Sequence, residues 1–399
     1  MKLNILAISL FVVTAGVIGF YPMYQQGNAH VNIPTQATSV DTKQANKIDL
    51  VFALDTTGSM GGMIEAAKEK IWSIATNMAQ AKSAPEIRIG LVAFRDRGDA
   101  YVTTMIDLSN DLDSVYAKLM DFTADGGGDT PESVNQALHE AVTKMSWSQS
   151  SNAYKVIFVV GDAPAQMNYH NDVKYPASIK MAKAKGIVVN TIQCGQDANT
   201  LTQWKQMASL SEGQFFNVAQ NGNAVAMKTP FDEQLATLSK DLDSTRLYYG
   251  TPEVLAEKHS KMAATSKMHK RASVESRARR ATFNGSASGK VNAIGENDLV
   301  EDIATGRADL SSIAPKELPK PMQAMSPKEK QRLIADTKEK RSKLKSNISV
   351  LAKKRDEYIK KEMEKKGGAK DSLDDQLVGA LRMQAKEKGI DYDGKSVAY

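Results

Sequence analysis

Between residues 48 and 247, short apolar runs rich in β-branched residues alternate with stretches whose apolar residues recur at helical spacing. Such alternation favours a mostly parallel sheet, because parallel strands need a long crossover and the crossover helix covers the sheet face. Ile48 to Leu54 is the first strand, and Met63, Ala67, Ile71, Ile74 and Met78 mark the helix after it. Ile87 to Phe94 follows as a strand, with Tyr101 to Leu108 returning beside it. Asp113 to Phe122 and Glu132 to Met145 read as helices, and Tyr154 to Val160 as a strand buried on both faces. Ala177 to Lys185 is a helix stopped by Gly186, a suitable residue just past a helix end. Ile187 to Cys194, Leu201 to Leu210, Gln214 to Val218 and Phe231 to Tyr248 continue as strand, helix, strand and helix. The expectation is an α/β domain over residues 48–248, a doubly wound, mostly parallel six-stranded sheet flanked by helices, followed by a mainly helical C-terminal region.

In sheets of this kind ligands bind at the carboxyl ends of the strands, where the strand order reverses. Three segments bring oxygen donors there. Asp55-Thr56-Thr57-Gly58-Ser59 follows the first strand, and its alternation lets Asp55, Thr57 and Ser59 aim at one point. Gly126-Gly127-Gly128-Asp129-Thr130 allows close backbone approach before a helix opened by Pro131. Asp162 stands directly after the strand ending Val159-Val160-Gly161. Singly, each reads as a helix cap or a loop. Together, at three strand ends, carboxylates and hydroxyls form a donor set for a hard cation: Mg2+ first, with Mn2+ or Ca2+ as alternatives.

The segment Asp55-Thr56-Thr57-Gly58-Ser59-Met60 resembles the D-x-S/T-x-S opening of a von Willebrand factor type A domain with its metal-ion-dependent adhesion site. The resemblance covers roughly residues 47–248. It is closest to bacterial and hemicentin- or alpha-kinase-like members, through Phe94-Arg95-Asp96 and Gly126-Gly127-Gly128-Asp129-Thr130-Pro131-Glu132. It implies a divalent cation held by Asp55, Thr57, Ser59 and Asp162, directly or through water. An acidic side chain of a protein partner would complete the coordination. In the second loop the family's usual threonine position is taken by Asp129, with Thr130 next to it, so either is the implied ligand. With Asp129, three carboxylates leave the site near −1, weakening its pull on an acidic partner; with Thr130 the charges balance.

The rest of the chain bounds the function. Lys2 precedes an apolar run from Ile5 to Phe20, and residues 1–21 read as a signal peptide or membrane anchor, with residues 22–47 as a polar tether. The expectation is export to the periplasm or cell envelope, secreted or held in the inner membrane by residues 3–21. A single cysteine, Cys194, rules out an intrachain disulfide and a cysteine-held zinc or iron–sulfur centre, and reads as a core thiol. His139 and His170 have no nucleophile arranged beside them, so an enzyme is not expected. Arg97-Gly98-Asp99 reads as a turn. Gly285 to Lys290 is one residue short of a phosphate-binding loop and lacks its hydroxyl.

Of the net charge of +6, residues 1–250 contribute about −4 and residues 251–399 about +10. Residues 249–325 read as a basic, irregular connection whose excess of about six positive charges over residues 261–280 offers a face to acidic partners or lipids, or simply to water. No base-reading motif accompanies the charge, so nucleic acid is not expected. Residues 326–399 read as charged helix, with Leu333, Ile334, Leu344, Ile348, Leu351 and Ile359 forming a partial seam for a helical hairpin or coiled coil. The leading expectation is an exported protein that binds a protein partner through the metal. The rivals are an accessory or substrate-receptor subunit of an envelope complex, and a structural protein whose basic helices meet membrane or cell-wall polyanions.

Overall fold

The computed structural model describes residues 46–128, 131–220, 227–365 and 373–392. The apolar run from Ile5 to Phe20, and both second-loop candidates Asp129 and Thr130, lie outside them. Six strands form one sheet: β1 (Lys47–Asp55), β2 (Glu86–Phe94), β3 (Thr103–Ser109), β4 (Tyr154–Gly161), β5 (Ile187–Cys194) and β6 (Phe215–Val218). The order is β3-β2-β1-β4-β5-β6, parallel except for β3, which runs antiparallel beside β2. β1 lies between β2 and β4, so the chain winds one way from β1 and then crosses to the other side. The crevice between the ends of β1 and β4 is therefore the switch point of the fold.

The pleat divides the core. Val51, Ala53, Val92, Ile157, Val159 and Val189 pack with Trp204 against α3 (Val134–Thr143), α4 (Tyr175–Ala184) and α5 (Ala198–Leu210). Leu50, Leu54, Leu91, Phe158 and Val160 face α1 (Gly61–Met78) and α2 (Leu112–Leu119) on the other side. The expected elements are present, several with shifted ends. The helix expected from Glu132 begins at Val134, because Glu132 instead pairs as an isolated β-bridge with Ala165.

The C-terminal third is mainly helical, as expected, but more regular than its sequence reading between residues 249 and 325. Residues read as an irregular connection carry α7 (Pro252–Arg271), α8 (Val274–Gly285), α9 (Lys290–Ile294) and α10 (Leu299–Ala304). α8 packs on α1 and on α6 (Asp232–Asp243), and α7 packs on α2. α11 (Pro327–Lys365), 39 residues and about 58 Å long, lays Leu344, Ile348 and Leu351 against Leu235, Leu242, Ala278 and Ala281 of α6 and α8. The seam read as a coiled coil is thus spent inside the molecule. α12 (Leu373–Lys386) packs on α1 and β6 and puts Leu377, Leu381 and Ala385 into the same core as β1.

Several basic residues of 261–280, Lys261, Arg279 and Arg280 among them, are buried, while Lys270 and Arg271 stay exposed. Lys261 bonds Asp111 at 2.5 Å, and Lys267 and Arg271 both reach Asp121. Arg280 is fully buried, its guanidinium forked onto Asp113 at 2.5 Å and bonded to Asp243 at 2.8 Å. Burial alone would raise the Asp113 pKa, but Arg280, with Lys261 and Arg246, holds it well below the usual carboxylate range. The opposite net charges of the two halves of the chain therefore meet at an internal interface.

Removing one partner of such a buried network leaves uncompensated charge, which typically costs about 3–5 kcal/mol. Arg280→Ala should lower unfolding stability by about that much in urea titrations, with little relief from added salt because the site is dry. A loss under about 1 kcal/mol would show that the network does not hold the helices to the sheet.

Candidate metal centre

Strand register sets the site. Asp55 ends β1 opposite Phe94 of β2, and Leu54 pairs with Val160, so Asp55 and Gly161-Asp162 emerge side by side. Asp55 is 1% exposed, a costly place for a carboxylate. Its Oδ1 accepts hydrogen bonds from the Thr57 amide at 2.9 Å and the Thr57 hydroxyl at 2.7 Å. Its Oδ2 is buried and has no hydrogen-bond partner. A Cβ on Gly161 would stand 3.0 Å from that oxygen, so only glycine lets β4 pass so close. Burial pushes the Asp55 carboxyl up to about 7, assisted by the charge of Asp162 and opposed by the two Thr57 hydrogen bonds and, least, by the Asp162 backbone amide.

The two other described ligand candidates are linked by a residue the sequence reading did not single out. Gln220, just past β6, donates from Nε2 to Asp162 Oδ2 at 2.5 Å and to the Ser59 carbonyl at 3.3 Å. Ser59 is exposed at the rim, in the short 3-10 turn Gly58–Met60. Asp55 and Thr57 thus touch each other, and Ser59 and Asp162 are tied through Gln220. Among the described residues, no group of three or more carboxylate, imidazole or thiol side chains is arranged to hold an ion on its own. Hydroxyl, carbonyl and water oxygens would have to complete the coordination.

Donor chemistry supports an ion here. Thr57 spends its hydroxyl hydrogen on Asp55, leaving oxygen lone pairs to offer, and an orphaned carboxylate oxygen lies beside it. An all-oxygen set of this kind suits Mg2+, Mn2+ or Ca2+. Cys194 is buried in the core, and burial raises its pKa, as expected for an inert thiol.

The Phe94-Arg95-Asp96 segment acts as the bracket of the site. Arg95 donates to the carbonyls of Thr56 at 3.1 Å and Thr123 at 2.9 Å, fixing the first loop to the approach of the second. Tyr101 bonds the Thr56 hydroxyl at 2.7 Å and lies under the Arg95 guanidinium. Asp96 accepts from Ser133 at 2.7 Å and Tyr169 at 2.6 Å, joining the second and third loops. The neighbouring Arg97 pairs with Asp172, and Asp99 accepts from the Gly127 amide, so the Arg97-Gly98-Asp99 tripeptide is a structural turn as read.

Glu132 is the acid that sequence reasoning passed over, quoted in its motif and then read as the start of a helix. Backbone bonds to Pro164 and Gln166 hold it, its side chain is 3% exposed, and its Oε2 is buried without a partner. Burial, with the charges of Asp55, Asp96, Asp99 and Asp162, pushes its carboxyl up to about 8.

The family profile described as von Willebrand factor A domain matches residues 49–221. Von Willebrand factor A domain-containing protein 7 of mouse is 42% identical over 93 residues, covering 23% of this chain, and the human protein is 39% identical over the same length. The chain spans about a tenth of the length of these relatives. Among solved structures, the SpRpn10 VWA domain is similar over 44% of this chain and 89% of its own, at 15% identity and a TM-score of 0.34. Proximal thread matrix protein 1 of the mussel byssus, with a zinc-occupied MIDAS motif, is similar over 44% of this chain and 43% of its own, at 17% identity and a TM-score of 0.35.

The raised carboxyl has a consequence for the metal-free protein. Asp55 holds its proton more tightly folded than unfolded, so its contribution to stability is present below about pH 4 and is lost as the pH rises towards about 7. Asp55→Asn removes that loss. In chelator at pH 8 it should be more stable than the parent by about 1–3 kcal/mol, with the gap closing near pH 4. Denaturant titrations at the two pH values check this, and a variant less stable at pH 8 would contradict the assignment of an uncompensated carboxylate.

Proposed function

Because residues 49–221 form a von Willebrand factor A domain, a fold whose members mediate protein–protein interactions, some through a bound metal, we propose that this protein binds a protein partner through a divalent cation at the ends of β1 and β4. The observation that carries the reading is the buried, partnerless Oδ2 of Asp55 beside the Thr57 hydroxyl. Bound there, Mg2+ would supply positive charge and an open coordination position to an acidic side chain of the partner. The protein's own residues prepare the place. Thr57 fixes the Asp55 carboxylate, Gly161 admits it, Arg95 and Asp96 lock the three loops together, and Gln220 holds Asp162 at the rim. None of these groups is arranged as a nucleophile with a base, which favours a binding module over an enzyme.

The reading extends to location. Residues 1–21 carry the signature of an export signal or anchor, which supports a location on the outer side of the inner membrane, in the periplasm or envelope. Among the described residues no helix is long and apolar enough to cross a membrane.

Three experiments test these claims. Mg2+ and Mn2+ titrated calorimetrically into the full chain should bind, and Asp55→Ala should lose most of the affinity, because neutral hydroxyls cannot replace the carboxylate charge. Capture of the envelope partner should then fail both in chelator and with Asp55→Ala; capture indifferent to both would refute metal bridging. An alkaline phosphatase fusion after Gly250 should be active, and an inactive, cytosolic fusion would refute export.

A further inference from the structure

Three guanidiniums buried around the C-terminal helices spend every nitrogen they have. Arg246, Arg280 and Arg341 each donate from Nε, Nη1 and Nη2 to carbonyl, hydroxyl or carboxylate oxygens. Arg355 of α11 is different. It is 3% exposed and its Nε donates to Asp232 at 2.8 Å, yet its Nη2 is buried without a partner. A buried donor left unused in this way is costly. Arg355 lines a recess where three helices meet, together with Asn77 of α1, Gln80 just past the end of α1, and Arg279 of α8. Arg279 is buried too, and donates from Nη1 to the Glu69 carbonyl at 3.3 Å. A third guanidinium, Arg382 of α12, donates to the side-chain oxygens of Asn77 at 3.3 Å and Gln80 at 3.1 Å. Among the described residues lining the recess, Asp356 is the single acid. The free interior of about 20 Å³ admits roughly one oxygen-sized group, so the rest of a ligand would stay at the mouth.

We propose that this recess binds a tetrahedral oxyanion of the phosphate class between α1, α8 and α11. An oxygen seated there gives Arg355 Nη2 the acceptor it lacks, with Arg279 as a second cation and the amides of Asn77 and Gln80 beside it. Guanidiniums that approach from separate helices suit an ion whose oxygens point in several directions. A flat carboxylate is satisfied by a single fork. The shared chemistry is a set of phosphoryl oxygens, free as inorganic phosphate or carried on a monoester. The place is distinct from the strand ends. α1 begins beside the Asp55 loop and runs back along the sheet to reach the parallel strand β2, so its last turn lies at the opposite edge. An ion held there contacts a helix of the sheet domain and two helices of the C-terminal layer at once, so its binding strengthens their docking. The charge of Asp356 works against it.

The test is calorimetric titration of inorganic phosphate, and separately of glycerol 3-phosphate, into the full chain at constant ionic strength. The parent, Asp356→Asn and Arg355→Lys are compared, and each is melted in phosphate-free buffer. The parent should bind. Asp356→Asn should bind about threefold tighter or more, because it removes a like charge from the lining and leaves the cations in place. Arg355→Lys keeps a charge for Asp232 but loses the fork, and should bind about tenfold weaker or more. Phosphate bound without the ester marks a site for the free ion, and equal binding of the two marks a site for a phosphoryl group; both support the assignment. Absence of binding of either ligand to the parent at millimolar concentration overturns it. So does binding within about twofold of the parent in Asp356→Asn, or in an Arg355→Lys protein that melts like the parent, since the ion then sits elsewhere. If Arg355→Lys melts well below the parent, Asp356→Asn alone decides.

Discussion

Arg280 is buried between two aspartates that the chain places far apart, Asp113 at the start of α2 and Asp243 at the end of α6. A guanidinium in that position offers five donors in a fixed fork, so it holds both acids in one geometry. It also joins α8 to the sheet's own helices, and α11 then packs against α6 and α8. The same pattern recurs at smaller scale, with Arg355 on Asp232 and Arg341 on Asp298 fixing α11 along its length. A buried ion pair is weak evidence for stability by itself, since two charges have been taken out of water. Here its weight lies in specificity, because these forks fix which helix meets which.

Against that background the strand ends stand apart. The protein neutralises its acids along the helical interface but leaves Asp55 and Glu132 buried with carboxyls pushed upward and an oxygen on each without a partner. Retaining such groups costs stability in the metal-free protein. Around them Arg95, Tyr101, Asp96, Ser133 and Tyr169 tie three loops together. An oxygen-bound cation accounts for the missing counter-charge.

Much of this was legible in the sequence. Strand–helix alternation gave the winding, and the β-branched run of Tyr154 to Val160 gave a strand buried on both faces. Asp55, Thr57 and Asp162 could be placed at the strand ends from sequence because an acid or hydroxyl directly after a strand has its position dictated by the strand. Glu132 was missed because its placement depends on a β-bridge to a loop 33 residues on, which leaves no periodic trace. Gln220 was missed for the same reason, as a polar residue after a short edge strand. The C-terminal third was misjudged on charge. Lysines and arginines on an amphipathic helix look alike whether they face water or a distant aspartate, and only tertiary packing distinguishes the two.

The central claim is that the ends of β1 and β4 hold a divalent cation. Crystals of the full chain grown with Mn2+ and measured at a wavelength where manganese scatters anomalously would test it most directly. The account predicts one strong anomalous peak within coordination distance of Asp55 Oδ2 and the Thr57 hydroxyl. An Asp55 carboxylate with no peak beside it at saturating Mn2+, its Oδ2 still without a partner, would contradict it.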